Sequence, residues 1–197
     1  SPDHHRAATE KRGPRVKYWI WLPLACWPLA GMADDDALSQ VMRALAAVPA
    51  VEATFREEKT LAVLDAPLVT AGVLYYRAPD FLRKRTLHPQ PEDYEADGHW
   101  LTVETPEAGR RQFDLNGYPQ LRPFVEAIRA TQAGDRAALE RYYRLEFQGT
   151  PADWSLRLTP GDADAQRYVA AIVLRGQNGR IDSMETLEPD GDRSVMI

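Results

Sequence analysis

The chain predicts a mainly β protein of the α+β class, with one antiparallel sheet and its few helices laid against one face. Three observations carry that reading. Short stretches in which apolar and polar residues alternate recur over 51–115 and again over 143–197, the period of strands with one buried face. Turn dipeptides such as Asp97-Gly98, Asn178-Gly179 and Asp190-Gly191 separate neighbouring stretches. These connections are too short for a crossover, so neighbours pair as antiparallel hairpins. Helical spacing is confined to Leu38–Leu45 and to the segment between Leu121 and Tyr143.

The first 33 residues stand apart from this pattern. Arg12, Arg15 and Lys17 precede an apolar run from Tyr18 to Ala30, and Gly31-Met32-Ala33 follows. A basic segment, a short apolar core and small residues before the cut are the layout of a cleaved secretory signal peptide. The run is short for a bilayer span and holds Pro23 and Pro28. The chain does not open on Met and 1–15 is polar, so translation is expected to start at Val16. Cys26 follows Pro23-Leu24-Ala25, a poor setting for acylation, which places cleavage after Ala33. Residues 1–33 are thus expected to be an N-terminal extension and signal peptide, and 34–197 a single domain.

Cleavage there removes the only cysteine, leaving no disulfide and no thiol chemistry. It also removes five basic residues (Arg6, Lys11, Arg12, Arg15, Lys17) and two acidic ones (Asp3, Glu10) from totals of 24 and 29, leaving a net charge of −8. An acidic secreted domain of this kind is a poor partner for nucleic acid or an anionic membrane surface.

The elements follow in order. Asp34-Asp35-Asp36 open a helix whose apolar stripe is Leu38, Val41, Met42 and Leu45, with Pro49 beyond its end. Three strands are expected over Val51–Lys59, Gly72–Ala78 and Phe81–Leu87. Ala78-Pro79-Asp80 breaks the second from the third, because proline lacks the ladder donor. Tyr94–Val103 is a hairpin turning at Asp97-Gly98, and Arg110–Leu115 a further strand. The period then changes: Leu121, Phe124, Val125 and Ile128 fall on one helical stripe that stops near Gly134. Asp135 caps a second helix ending near Tyr143. Strands then return over Tyr143–Phe147, Trp154–Leu158, Val169–Leu174, Ile181–Leu187 and Arg193–Ile197. The sum is about nine or ten strands and three helices.

Catalytic signatures are weak. No G-x-S-x-G elbow occurs, and His88 and His99 have no plausible nucleophile partner in sequence. They make a poor metal pair without spaced carboxylates, and Asp190 with Asp192 lacks a calcium-loop pattern. The expectation is a protein that is not an enzyme, with no catalytic residue, no metal site and no cofactor. Arg83-Lys84-Arg85 is read as solvated strand charge, with contact to lipid phosphate or to a membrane partner as the alternative. Periodicity leaves open whether the apolar face under the helices is a filled core or a cavity; a half-barrel under a helical lid suits acyl chains.

The ordered set VEATFREEK, GVLYYRAPDFLR, DGHWLTV, WSLRLTP and IVLRGQNGRIDSMETLEPDGDRS resembles the LolA-type periplasmic lipoprotein carriers along 36–197. The resemblance implies an unclosed antiparallel half-barrel of about eleven strands. Its concave face would be covered by three short helices and would hold lipid chains. It also implies transit from inner to outer membrane between an exporter and an acceptor protein, by a monomer in the periplasm. The expected cavity and lid residues are Phe55, Leu74, Tyr76, Ala78, Leu82, Leu101, Val103, Leu121, Phe124, Val125, Ile128, Leu156, Leu158 and Met184, with 121–143 as the lid. The family commonly carries an arginine just before the strand-ending proline, bonded to the lid; here that position is Ala78. Arg77, one residue earlier, is expected to face away, so the latch is missing or supplied by another residue. Alternatives are a polyene or other lipid cargo, or a lipid-sensing or scaffolding module of the same fold.

Overall fold

The computed structural model describes residues 30–118 and 121–197. The expected leader lies outside these residues apart from its last four, which belong to the first helix. That helix, α1, runs Ala30–Ala46. Six strands follow: β1 (Ala50–Thr60), β2 (Leu68–Arg77), β3 (Phe81–His88), β4 (Glu92–Asp97), β5 (Trp100–Thr105) and β6 (Gly109–Asp114). A 3-10 turn (Leu115–Gly117) leads to α2 (Arg122–Gln132) and α3 (Arg136–Tyr142). The chain finishes with β7 (Tyr143–Thr150), β8 (Asp153–Pro160), a one-turn helix α4 (Ala163–Gln166), β9 (Ala171–Gln177), β10 (Arg180–Leu187) and β11 (Arg193–Met196).

All eleven strands form one antiparallel sheet in the order β6-β5-β4-β3-β2-β1-β11-β10-β9-β8-β7. Two meanders, β1–β6 and β7–β11, therefore join through their first and last strands. Glu57 pairs with Met196 and Thr60 with Arg193, and Arg56 and Ile197 exchange both backbone hydrogen bonds at 3.0 and 2.9 Å. β6 and β7 are the two edges and do not pair with each other, so the half-barrel is open. The helices α2 and α3 carry the chain from one edge to the other.

The described residues hold four α-helices and a 3-10 turn rather than the three short helices expected, and α1 spans 17 residues. The addition is α4, one turn capped by Asp162, whose carboxylate accepts from the Asp164 amide at 2.8 Å. Four residues are too few for an apolar stripe to repeat, so periodicity passes over it. The eleven strands agree with the half-barrel of about eleven strands that the resemblance implies, and each falls on one of the alternating stretches expected from the sequence. Ala78 is a correction: it lies beyond β2 in an exposed turn, joined to Pro79 by a cis peptide bond, and faces no cavity.

Apolar side chains collect in two cores, one per meander. In the larger, the α1 stripe of Leu38, Val41, Met42 and Leu45 packs on Trp154, Leu156, Leu158, Ile172 and Leu174. Leu45, Leu158 and Ile172 are fully buried, and each such side chain contributes about 1.5–3 kcal/mol. The smaller core joins Tyr76, Leu82, Ala96, Leu101 and Leu115. Between them lies α2, which gives Ala127 and Ala130 to the first core and Val125 and Ile128 to the second. The turn after α2 is held against α1. Gly134 has φ of 65°, and a Cβ there would sit 2.1 Å from the Met42 carbonyl oxygen, so only glycine fits.

Candidate functional site

Strand register places the inner-face residues in rows. Val51 of β1 sits beside Tyr76 of β2, then Leu82, Ala96 and Leu101; Ala53 sits beside Leu74, then Lys84, Tyr94 and Val103. Under α2, where the two cores part, these rows leave a cavity of about 190 Å³. Its floor is Val51, Ala53, Phe55, Leu74 and Tyr76 with Leu174, Ile181 and Met196, and α2 contributes Ile128 and Gln132. Ile128 and Gln132 are four residues apart and share a helix face. Larger depressions elsewhere, such as one of about 650 Å³ beside Leu121, Arg167, Tyr168 and Glu188, are open and flanked by charge.

The helix over the cavity is pinned at both ends. At its start the Tyr143 hydroxyl donates to the Pro123 carbonyl at 2.6 Å. Burial, reinforced by Glu126, pushes the Tyr143 hydroxyl pKa up, so it stays a donor. Nearer its end Arg129, only 5 % exposed, donates from Nη1 to the carbonyls of Gly98 (2.6 Å) and Asp80 (2.8 Å). Its Nη2 meets Glu126 at 2.5 Å. The two carbonyls belong to the β4–β5 and β2–β3 turns. The helix is thus tied to the sheet by an arginine on the helix and carbonyl acceptors on two turns of the sheet. Arg77 is exposed and stacks on Phe81, its guanidinium 4.5 Å from the ring centroid.

A charged pair lies beside Phe55, one of the lining residues. Lys84 lies 5.0 Å from the Phe55 ring centroid and pairs with Glu57, which also accepts from Ser194 at 2.5 Å. Burial alone would raise the Glu57 carboxyl pKa, but Lys84 and these hydrogen bonds hold it below the ordinary range. The basic triplet is thus divided by strand alternation. Lys84 points inward, Arg83 pairs with Asp93 on the opposite face, and Arg85 is exposed. The acidic group Glu188, Asp190 and Asp192 serves its own turn: Glu188 pairs with Lys59 at 2.8 Å, Asp190 caps the Asp192 amide, and Asp192 accepts from the Ala62 amide.

Of the residues expected to bind ligand, Phe55, Leu74, Tyr76 and Ile128 line the cavity. Leu82, Leu101, Val103 and Val125 lie in the smaller core, and Leu156 and Leu158 are buried in the larger one. Phe124 and Met184 pack on the larger core from its margin. Leu121 precedes the first turn of α2 and is 36 % exposed, so it does not belong to the inner face of the helix. Sequence reasoning passed over Arg129 and Gln132. Their signal was available: both are long polar residues next to or on the apolar stripe that holds Ile128. Among the described residues no helix is long and apolar enough to cross a membrane.

The family model for "Outer membrane lipoprotein carrier protein LolA-like" matches residues 30–196. Comparison with curated proteins finds no match. Among solved structures, the chain is similar to a LolA superfamily protein from Nitrosomonas europaea, at 11 % identity over 81 % of this chain and 90 % of that one, TM-score 0.41. It is also similar to a putative outer membrane lipoprotein-sorting protein domain from Vibrio parahaemolyticus, at 11 % identity over 83 % and 90 %, TM-score 0.42. A third is the Pseudomonas aeruginosa MucA/MucB complex, at 14 % identity over 80 % of this chain and 54 % of that one, TM-score 0.42.

Proposed function

This chain belongs to the LolA-like outer membrane lipoprotein carrier family, and from that premise we propose that it is a periplasmic carrier of acyl chains. It would take a lipoprotein or related lipid from an inner-membrane exporter, bury the chains under α2, and release them to an outer-membrane acceptor. The observation that carries this reading is the apolar cavity beneath a helix pinned by a few polar contacts at its two ends.

At about 190 Å³ the cavity is smaller than the roughly 300–1,000 Å³ usual for ligand sites. Loading therefore requires α2 to lift and the Arg129 bonds to break. Hydrogen bonds to a charged group contribute about 1.5–3 kcal/mol each, while each buried methylene contributes about 0.8 kcal/mol. A chain of roughly a dozen carbons contributes more than the Arg129 bonds alone. The energetics thus favour an open loaded state and a closed empty one, and the carrier needs no catalytic group of its own.

The small volume favours one second reading, a periplasmic lipid-sensing or scaffolding module that works through protein binding with its interior filled. Mass spectrometry of organic extracts of the mature protein, purified from the periplasm of its native host without detergent, separates the two. A stoichiometric lipid or acylated peptide is expected. A protein that carries none and takes up no fluorescent fatty acid would leave the second reading standing.

A further inference from the structure

The sheet ends on β7, whose outer edge carries backbone groups that the sheet does not use. Among the described residues β7 pairs only with β8, in an unbroken register that sets Tyr143 opposite Pro160 and Leu145 opposite Leu158. The Gly161 amide donates to the Tyr142 carbonyl at 3.0 Å, which marks these two as a hydrogen-bonded pair. Such pairs alternate along an antiparallel ladder, so Arg144 and Glu146 bond to β8. Tyr143, Leu145 and Phe147 then turn their amides and carbonyls to the free edge. Pro160, which has no amide to give, stands opposite Tyr143, where the ladder needs none. The Tyr143 amide is taken by the Leu139 carbonyl of α3, which leaves the Leu145 and Phe147 amides and all three carbonyls to the edge. A depression of about 610 Å³ is bordered by every residue of Tyr143–Phe147. Successive strand residues point to opposite faces, so all of them border one space only along the strand's edge.

We propose that β7 pairs antiparallel with β7 of a second copy of this chain, about a two-fold axis at Leu145. Edge strands are ordinarily guarded by proline, a bulge or lysines; β7 has none before Thr150 and alternates charge at Arg144 and Glu146, both exposed. In the proposed register Leu145 meets the partner's Leu145, Tyr143 meets the partner's Phe147, and Arg144 meets the partner's Glu146. The two Leu145 residues exchange both backbone bonds, and each Phe147 amide finds a Tyr143 carbonyl. Arg144 and Glu146 fall on the non-hydrogen-bonded sites, where facing side chains come closest and opposite charges attract. Moving the axis one residue either way faces two arginines or two carboxylates, so charge selects the register. Within one chain Glu146 meets Arg157 at 3.9 Å with both side chains about half exposed, too loose a pair to compete. This departs from the monomer that the resemblance implies. It does not depend on the carrier reading, because the depression shares no lining residue with the cavity under α2.

The test is sedimentation velocity of the protein purified from the periplasm, over a concentration series reaching the millimolar range. The unaltered protein shifts from monomer to dimer as its concentration rises. Arg144→Glu and Glu146→Lys each set like charges across the axis and raise the dimer dissociation constant about tenfold or more. The double variant, Arg144→Glu with Glu146→Lys, restores opposite pairs and recovers the unaltered constant to within about threefold. Circular dichroism checks that each variant is folded, and either single reversal carries the test if the other fails to fold. A protein that stays monomeric throughout overturns the proposal and leaves the edge to an extended segment of another protein. A dimer whose constant neither reversal moves overturns it as well. So does a dimer weakened by each reversal but not recovered in the double variant, because the pairing of Arg144 with the partner's Glu146 would then be wrong.

Discussion

Arg129 of α2 reaches the β4–β5 turn at Gly98, its Nη1 lying 2.6 Å from the Gly98 carbonyl oxygen, and the same nitrogen lies 2.8 Å from the Asp80 carbonyl of the β2–β3 turn. One guanidinium thus ties the helix over the cavity to two hairpins at once. Arg129 Nε has no partner within the protein, so the anchoring rests on Nη1 and on the pair with Glu126.

Arg129→Met removes both carbonyl bonds and keeps most of the side chain's apolar length. Loss of bonds worth about 1.5–3 kcal/mol each to a charged donor lets α2 open more often. Hydrogen exchange should accelerate at least about tenfold in α2 while β8 and β9 keep their protection. Equal acceleration throughout would mean that the arginine holds the whole fold rather than the helix.

Ile128→Asp places a carboxylate on the cavity wall. An unpaired charge there costs several kcal/mol when an apolar chain enters, so acyl binding should be abolished. The residue is half-buried on α2, and the sheet signal in circular dichroism should persist. Unchanged binding of a fluorescent fatty acid would remove α2 from the mechanism.

Gly134→Ala meets two obstacles at once, a φ of 65° and the Met42 carbonyl 2.1 Å from the new Cβ. The left-handed conformation alone costs about 1–2 kcal/mol for a non-glycine residue. A loss of about 2 kcal/mol or more should appear in urea denaturation, with the α2–α3 turn displaced from α1. A stability change under about 0.5 kcal/mol, the range of ordinary surface substitutions, would contradict the packing described.

Glu57 gives the acid response a sign. Its folded pKa is depressed, against burial, by Lys84 and by the Lys84 and Ser194 hydrogen bonds. A depressed carboxyl contributes stability that is present above its unfolded value of about 4.3 and is lost as pH falls through the folded value. Urea midpoints of the unaltered protein and of Glu57→Gln, compared between neutral pH and the acid limb, should converge as pH falls. A gap that stays constant with pH would show that the carboxylate's charge is not what stabilises this junction of β1, β3 and β11.

Much of the fold is local, and local features are legible. Alternation at Trp154, Leu156 and Leu158, the turn at Asp97-Gly98 and the turn at Asn178-Gly179, where Asn178 has φ of 51°, each depend on neighbours in the chain. The α1 stripe is buried just where its spacing predicts, at Leu38, Val41, Met42 and Leu45. The family match over 30–196 agrees with the resemblance read from the ordered segments.

What the amino-acid order alone determined was a set of hairpins and amphipathic helices, because period and turn chemistry report which face a residue shows. It did not determine which faces meet. The union of β1 with β11 pairs Glu57 with Met196 across most of the chain. That union makes one open sheet of two meanders and sets two cores side by side. This closure sets Leu174, Ile181 and Met196 beside Tyr76, Ile128 and Gln132 around one cavity, and the packing of α2 on the first meander brings Arg129 to the turns at Asp80 and Gly98. Periodicity marks Leu156, Leu158 and Ile128 alike as apolar and inward. Tertiary packing separates them, placing the leucines under α1 and the isoleucine over the gap between the cores.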